Sequence, residues 1–148
     1  MGRLSKFLAL PKRQKALLVE ALVLLVFARI GLRTMPFAFL RHILSKLVTN
    51  KKGTCSVSED VVRRQILWAV ATAGRHVPLV RTCLTQALAA QVLLARSGDQ
   101  SDLRIGVTRD SNGKFLAHAW LERQGAVLIG GDVSSDFTPM PVLKVLEP

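Results

Sequence analysis

Three side chains in this 148-residue chain are of types that, brought together, do nucleophilic catalysis. Cys83 opens the stretch "CLTQALAAQVLLARSG", His118 lies inside "KFLAHAWLE", and Asp132 follows "AVLIGG". A thiol attacks a carbonyl as its thiolate, an imidazole within reach takes the proton, and a carboxylate on the far ring nitrogen fixes the imidazole tautomer. Each residue also has a plain structural reading. Cys83 fills space as a small buried hydrophobe, His118 is a histidine satisfied by a neighbour, and Asp132 caps the loop "VSSDFTP". Asp136, four residues beyond Asp132, offers the same carboxylate.

The elements around these residues decide what they can do. Thr82 is a good N-cap, and Leu84, Leu88, Gln91 and Leu94 form a stripe that Gly98 ends, so Cys83 is the first residue of a helix. Unpaired backbone N–H groups and the positive end of the helix dipole favour an anionic sulfur there, and the same N–H groups suit an oxyanion. A second oxyanion donor is unassigned, with the Trp120 indole as the candidate. "LRIGVTR" alternates as a strand, "DSNG" turns, "KFLAHAWLE" returns, and "RQG" leads into "AVLIG", an antiparallel meander. In its middle strand His118, Trp120 and Glu122 share one face, and Ala117, Ala119 and Leu121 the other.

Upstream, the chain reads as helices. "ALLVEALVLLVFARIGL" is apolar nearly all round, which suits a helix buried in the domain or against a partner. "TMPFAFLRHILSKLV" is amphipathic, with Thr34 as cap, Pro36 in the first turn and His42 on the solvent side. "SVSE" has the capping-box form, Ser56 with Glu59, for a third helix reaching about Thr72 and closed by Gly74, after which Pro78 keeps the chain extended. The fold class is therefore α+β, with helices first and then the Cys83 helix packed on an antiparallel sheet.

Length and a 49% hydrophobic content suit one domain without disulfide or metal staples. Two cysteines at irregular spacing, Cys55 and Cys83, fit a reducing cytoplasm. Cys55, Cys83, His76 and His118 match no usual zinc spacing, and nothing calls for a metal or another cofactor. Residues 1 to 75 hold 14 Lys and Arg against three acids, a net +11, whereas residues 76 to 148 hold seven of each, a net of zero. The basic half suits docking to an acidic peptide, a protein partner or a lipid surface, or simply solvates an apolar helix; the neutral half suits chemistry. An aromatic content of 5% with no Tyr argues against nucleic acid. Glu20 and Arg29 interrupt the apolar stretch and argue against a membrane span, and Glu20 also spoils a signal peptide.

A cysteine at a helix start, then a histidine and an aspartate on successive strands, resembles the papain-related transglutaminase-like core. More narrowly, "CLTQALAAQVLLARSG", "LRIGV", "AHAWLE", "VLIGG" and "FTPM" in this order, with the helical front "RLSKFLALPKRQKALLVEALVLLVFARIGLRTMPF", resemble the leader peptidase of lasso-peptide biosynthesis, the stand-alone catalytic half of a split B protein. The resemblance implies Cys83 as nucleophile, His118 as base and Asp132 as orienting acid. It implies one domain over residues 1 to 148, with a basic helical front over 1 to 54 and a catalytic core over 55 to 148. It also implies a ribosomally made precursor peptide as substrate, a separate leader-recognition protein, and an ATP-dependent lasso cyclase acting on the product. Two other functions stay open, a transglutaminase-like acyltransferase and a non-catalytic helical protein that binds a partner or leader.

Overall fold

The computed structural model describes residues 3–48, 58–77, 82–131 and 136–141. Five helices precede a sheet: α1 (Arg3–Leu8), α2 (Lys12–Thr34), α3 (Phe37–Leu47), α4 (Glu59–His76) and α5 (Cys83–Arg96), then β1 (Asp102–Arg109), β2 (Phe115–Arg123), β3 (Ala126–Ile129) and β4 (Thr138–Pro139). The α+β class expected from the sequence is what forms. Among the described residues no helix is long and apolar enough to cross a membrane.

Pro11 and Pro36 precede α2 and α3 directly, each with the fixed φ near −60° that starts a helix at the next residue. α2 buries Leu18, Ala21, Leu24, Leu25, Ala28 and Gly31, one face at helical spacing, against α4 and α5. α5 is enclosed almost all round: Ala87 through Leu94 are buried, Gln91 among them. Side chains of α2, α3, α4, α5, β1 and β2 thus share one apolar core. Burial of each leucine there contributes about 2 kcal/mol.

Three expectations shift. Thr34 does not cap α3: it is the last residue of α2, its Oγ1 donating to the Ile30 carbonyl, and Pro36 takes the cap position instead of lying in the first turn. The cap of α4 is Ser58, and Ser56 and Cys55 lie outside the described residues. Gly74 does not close α4, which runs on to His76. A Cβ at Gly74 would stand 3.3 Å from the Gln86 side chain, so this glycine lets α5 approach rather than stopping a helix. His42 is exposed, as its helical position implies.

The sheet is antiparallel with strand order β3-β2-β1-β4. Asp110 shapes the β1–β2 hairpin, its Oδ1 accepting from the Asn112 and Lys114 amides at 2.9 Å. In β1 and β2, Leu103 lies opposite Leu121 and Ile105 opposite Ala119, and this face meets the core. β4 goes beyond the expected meander, pairing Thr138 with Val107 and Pro139 with Gly106 on the outer side of β1, where a proline's missing N–H costs no ladder bond.

Asp99, in the α5–β1 connection, is 7% exposed and holds three elements. Its Oδ2 accepts from Arg63 Nε of α4 at 2.5 Å, and its Oδ1 lies 3.0 Å from Arg123 Nε at the end of β2. The Asp99 bond, joined by that of Asp60, outweighs burial and raises the Arg63 pKa above its ordinary value. Asp99→Ala leaves two largely covered guanidinium groups without their shared anion. Breaking a buried pair costs about 3–5 kcal/mol, and the partial exposure of both arginines reduces that to about 2 kcal/mol. Urea unfolding of Asp99→Ala should show that loss, with the slope unchanged.

Candidate active site

Cys83 is the first residue of α5, half-buried and unpaired by any disulfide. Thr82 before it has extended backbone (φ −111°, ψ 150°), and its Oγ1 accepts from the Thr85 amide at 3.2 Å. Thr85 Oγ1 in return accepts from the Thr82 amide at 3.1 Å. This reciprocal cap fixes the helix start and uses the third amide of the first turn. An α-helix gives the first two amides no acceptor of its own, so the N–H groups of Cys83 and Leu84 are the ones that face outward beside the sulfur. Amides so placed are able to donate to an anion at this position.

His118 stands mid-strand in β2, opposite Gly106 of β1, and is half-buried. It shares its face with Trp120 and Glu122, while Ala119 and Leu121 enter the core. Its Nε2 lies 2.6 Å from the Gly130 carbonyl oxygen. A carbonyl only accepts, so Nε2 carries the proton and donates, and in the neutral ring Nδ1 holds the lone pair. The Phe137 ring, centred 5.3 Å away, and the Trp120 ring at 6.2 Å pack against the imidazole. Gly130 has φ +80°, and a Cβ on it would stand 2.9 Å from the Ala119 carbonyl oxygen, so only glycine aims its carbonyl this way.

Other expectations resolve less simply. The Trp120 indole donates to Glu122 Oε2 at 3.4 Å, and Glu122 Oε1 accepts from Arg104 at 2.6 Å, so the candidate second oxyanion donor is turned to a carboxylate. Asp132 lies outside the described residues. Asp136 is described and exposed. His76 ends α4 with its Nδ1 2.7 Å from the Thr72 carbonyl. Among the described residues no group of three or more His, Cys, Asp or Glu stands ready to hold a metal ion.

α5 packs on β2, which puts the helix carrying Cys83 and the strand carrying His118 in adjacent layers. Among the described residues no hydrogen bond joins the two side chains, and the polar partner of His118 is Gly130. Sequence reasoning missed Gly130 and Phe137 as neighbours of the imidazole. The repeated glycine in "LIGGD" was the available sign of a special backbone conformation.

Comparison with curated proteins and with solved structures finds no match. Among protein families, the model described as the Transglutaminase-like superfamily matches residues 21–142, a span that runs from α2 past β4 and includes Cys83, His118 and Asp132. That superfamily includes cysteine proteases and acyltransferases. With a capped helix opening on a cysteine and an antiparallel sheet carrying an oriented histidine, the chain belongs to the transglutaminase-like superfamily.

Proposed function

We propose that the chain is a cytoplasmic cysteine peptidase that removes the leader from a ribosomally made lasso-peptide precursor, with Cys83 as nucleophile and His118 as base. The observation that carries the dyad is the Nε2 contact to Gly130, because it leaves Nδ1 as the proton acceptor. The Cys83 thiol gives its proton to His118 Nδ1, and the sulfur attacks the scissile carbonyl carbon. The Cys83 and Leu84 amides hold the resulting oxyanion. Collapse breaks the C–N bond as His118 returns the proton to the departing amine of the core peptide. Water, deprotonated by His118, then attacks the thioester, releasing the leader as a carboxylic acid and restoring the thiol. Catalytic hydrogen bonds commonly tighten only when substrate is bound, so Cys83 and His118 form theirs in the complex.

Asp132, which the resemblance assigns as orienting acid, comes two residues after the carbonyl that orients His118, and a carboxylate there would stabilise the imidazolium formed in each transfer. The free core amine suits later ring closure by an ATP-dependent lasso cyclase, and a separate leader-recognition protein would bring the precursor. The chemistry asks for no cofactor.

The test incubates the full chain with a lasso precursor peptide and its recognition protein and follows masses. The expected result is a leader acid and a core amine that together weigh one water more than the precursor. A leader coupled to an added primary amine, with no hydrolysis, would make the chain an acyltransferase. An intact precursor would defeat the peptidase reading.

A further inference from the structure

α2 buries one face and leaves another uncovered. Val19, Val23, Val26 and Ile30 are 52%, 60%, 37% and 55% exposed, and Ala16 extends the row toward the helix start. Side chains of this kind normally lie inside, and a contiguous row of them marks a contact surface. The spacing is specific. Residues 16, 19, 23, 26 and 30 alternate steps of three and four, the 3.5-residue repeat by which one helix seats its seam along another. Valine and isoleucine at these positions present stiff, pre-ordered knobs. Beside Val19 the row adjoins an apolar cavity of about 430 Å³ between α1, α2 and α4, walled by Phe7, Leu22 and Trp68 among others.

The charges around the seam say what covers it. Lys12 and Arg33 stand one step beyond either end of the repeat, and Lys15 and Arg29 flank it on one side. The acid on the other flank, Glu20, is paired with Arg96 of α5. A second copy of this chain would bring cations onto cations in either orientation, because both ends and one flank carry the same sign. An acidic helix meets each of them with its opposite.

We infer that the Val19–Val23–Val26–Ile30 face of α2 docks an amphipathic helix of a separate protein, with aliphatic residues at the same 3.5-residue repeat and Glu or Asp on its flanks. The inference stands on α2 alone and does not depend on the peptidase reading.

The probe is a designed helical peptide with Ile and Leu in its seam and Glu on both flanks, titrated into the full-length chain by fluorescence anisotropy. It should bind, more weakly as salt rises, and Val23→Asp should weaken it at least about 10-fold. Ile30→Asp, two turns along, should do the same, so the result does not hang on one variant's folding. The same peptide with Lys flanks should not bind. Absence of binding by the Glu peptide, or binding equal in both variants, overturns the inference. So does sedimentation showing a wild-type dimer that Val23→Asp dissolves, which would make the occupant a second copy. Flotation with phosphatidylglycerol vesicles that Val23→Asp abolishes would overturn it in favour of a membrane surface.

Discussion

Cys83→Ser and Cys83→Ala should abolish the proposed precursor cleavage, lowering turnover by at least about 10⁴-fold, whereas Cys55→Ala should leave it intact. The size follows from what is lost. Removing the nucleophile of a covalent mechanism removes the pathway itself and leaves only the contribution of binding and oxyanion donors. Serine keeps nearly the shape of cysteine, and the α5 start is held by Thr82 and Thr85 rather than by the sulfur, so the fold should be unaffected. That separates the two meanings of a half-buried thiol packed against the core. A space-filling cysteine would show its loss as a lower unfolding midpoint with cleavage retained; a nucleophile shows the reverse. A second readout is covalent: rapid quenching of the wild type with precursor should trap a leader mass on Cys83, absent from both variants. Cleavage by Cys83→Ala at the wild-type rate would end the assignment.

Local signals carried much of this molecule in its sequence. The β1–β2 hairpin was legible because its two faces alternate and "DSNG" turns between them, and the start of α5 because Thr82 and the stripe after it agree. What sequence missed lies in contacts between elements. β4 is two residues long, one of them Pro139, and becomes a strand only by pairing with β1. Gly74 read as a stop because glycine is a poor helix former, yet its reason for being small is Gln86 on another helix. α2 is apolar on so many sides that its sequence could not say which face the domain buries; α4 and α5 make that choice, and what they leave becomes the exposed seam. The partner of His118 is a backbone carbonyl, and a carbonyl has no residue type to read. The sequence therefore pointed to a carboxylate, Asp132, which lies outside the described residues, whereas the contact seen among the described residues is with the Gly130 carbonyl.

That difference sets the second large effect. His118→Ala should lower precursor cleavage about 10²- to 10⁴-fold, since it removes the group that takes the thiol proton and later protonates the leaving amine. Gly130→Ala tests the orientation without touching the imidazole. A residue there must leave φ +80° or press its Cβ against the Ala119 carbonyl, and either movement withdraws the oxygen from Nε2. With no acceptor at Nε2, the ring is free to carry its proton on Nδ1, which then cannot accept from sulfur. Cleavage should fall about 10²-fold while the protein stays folded, and ¹⁵N shifts of His118 should move from the Nε2–H pattern toward the Nδ1–H pattern, a change that a purely structural glycine would not cause. Asp132→Asn separates the carboxylate's part. It should slow turnover while leaving the Nε2–H signature in place, since Gly130 still fixes it, and Asp136→Asn, at an exposed position, should do neither. A cleavage rate unchanged in His118→Ala would refute the dyad and leave Cys83 a packed thiol at the head of a buried helix.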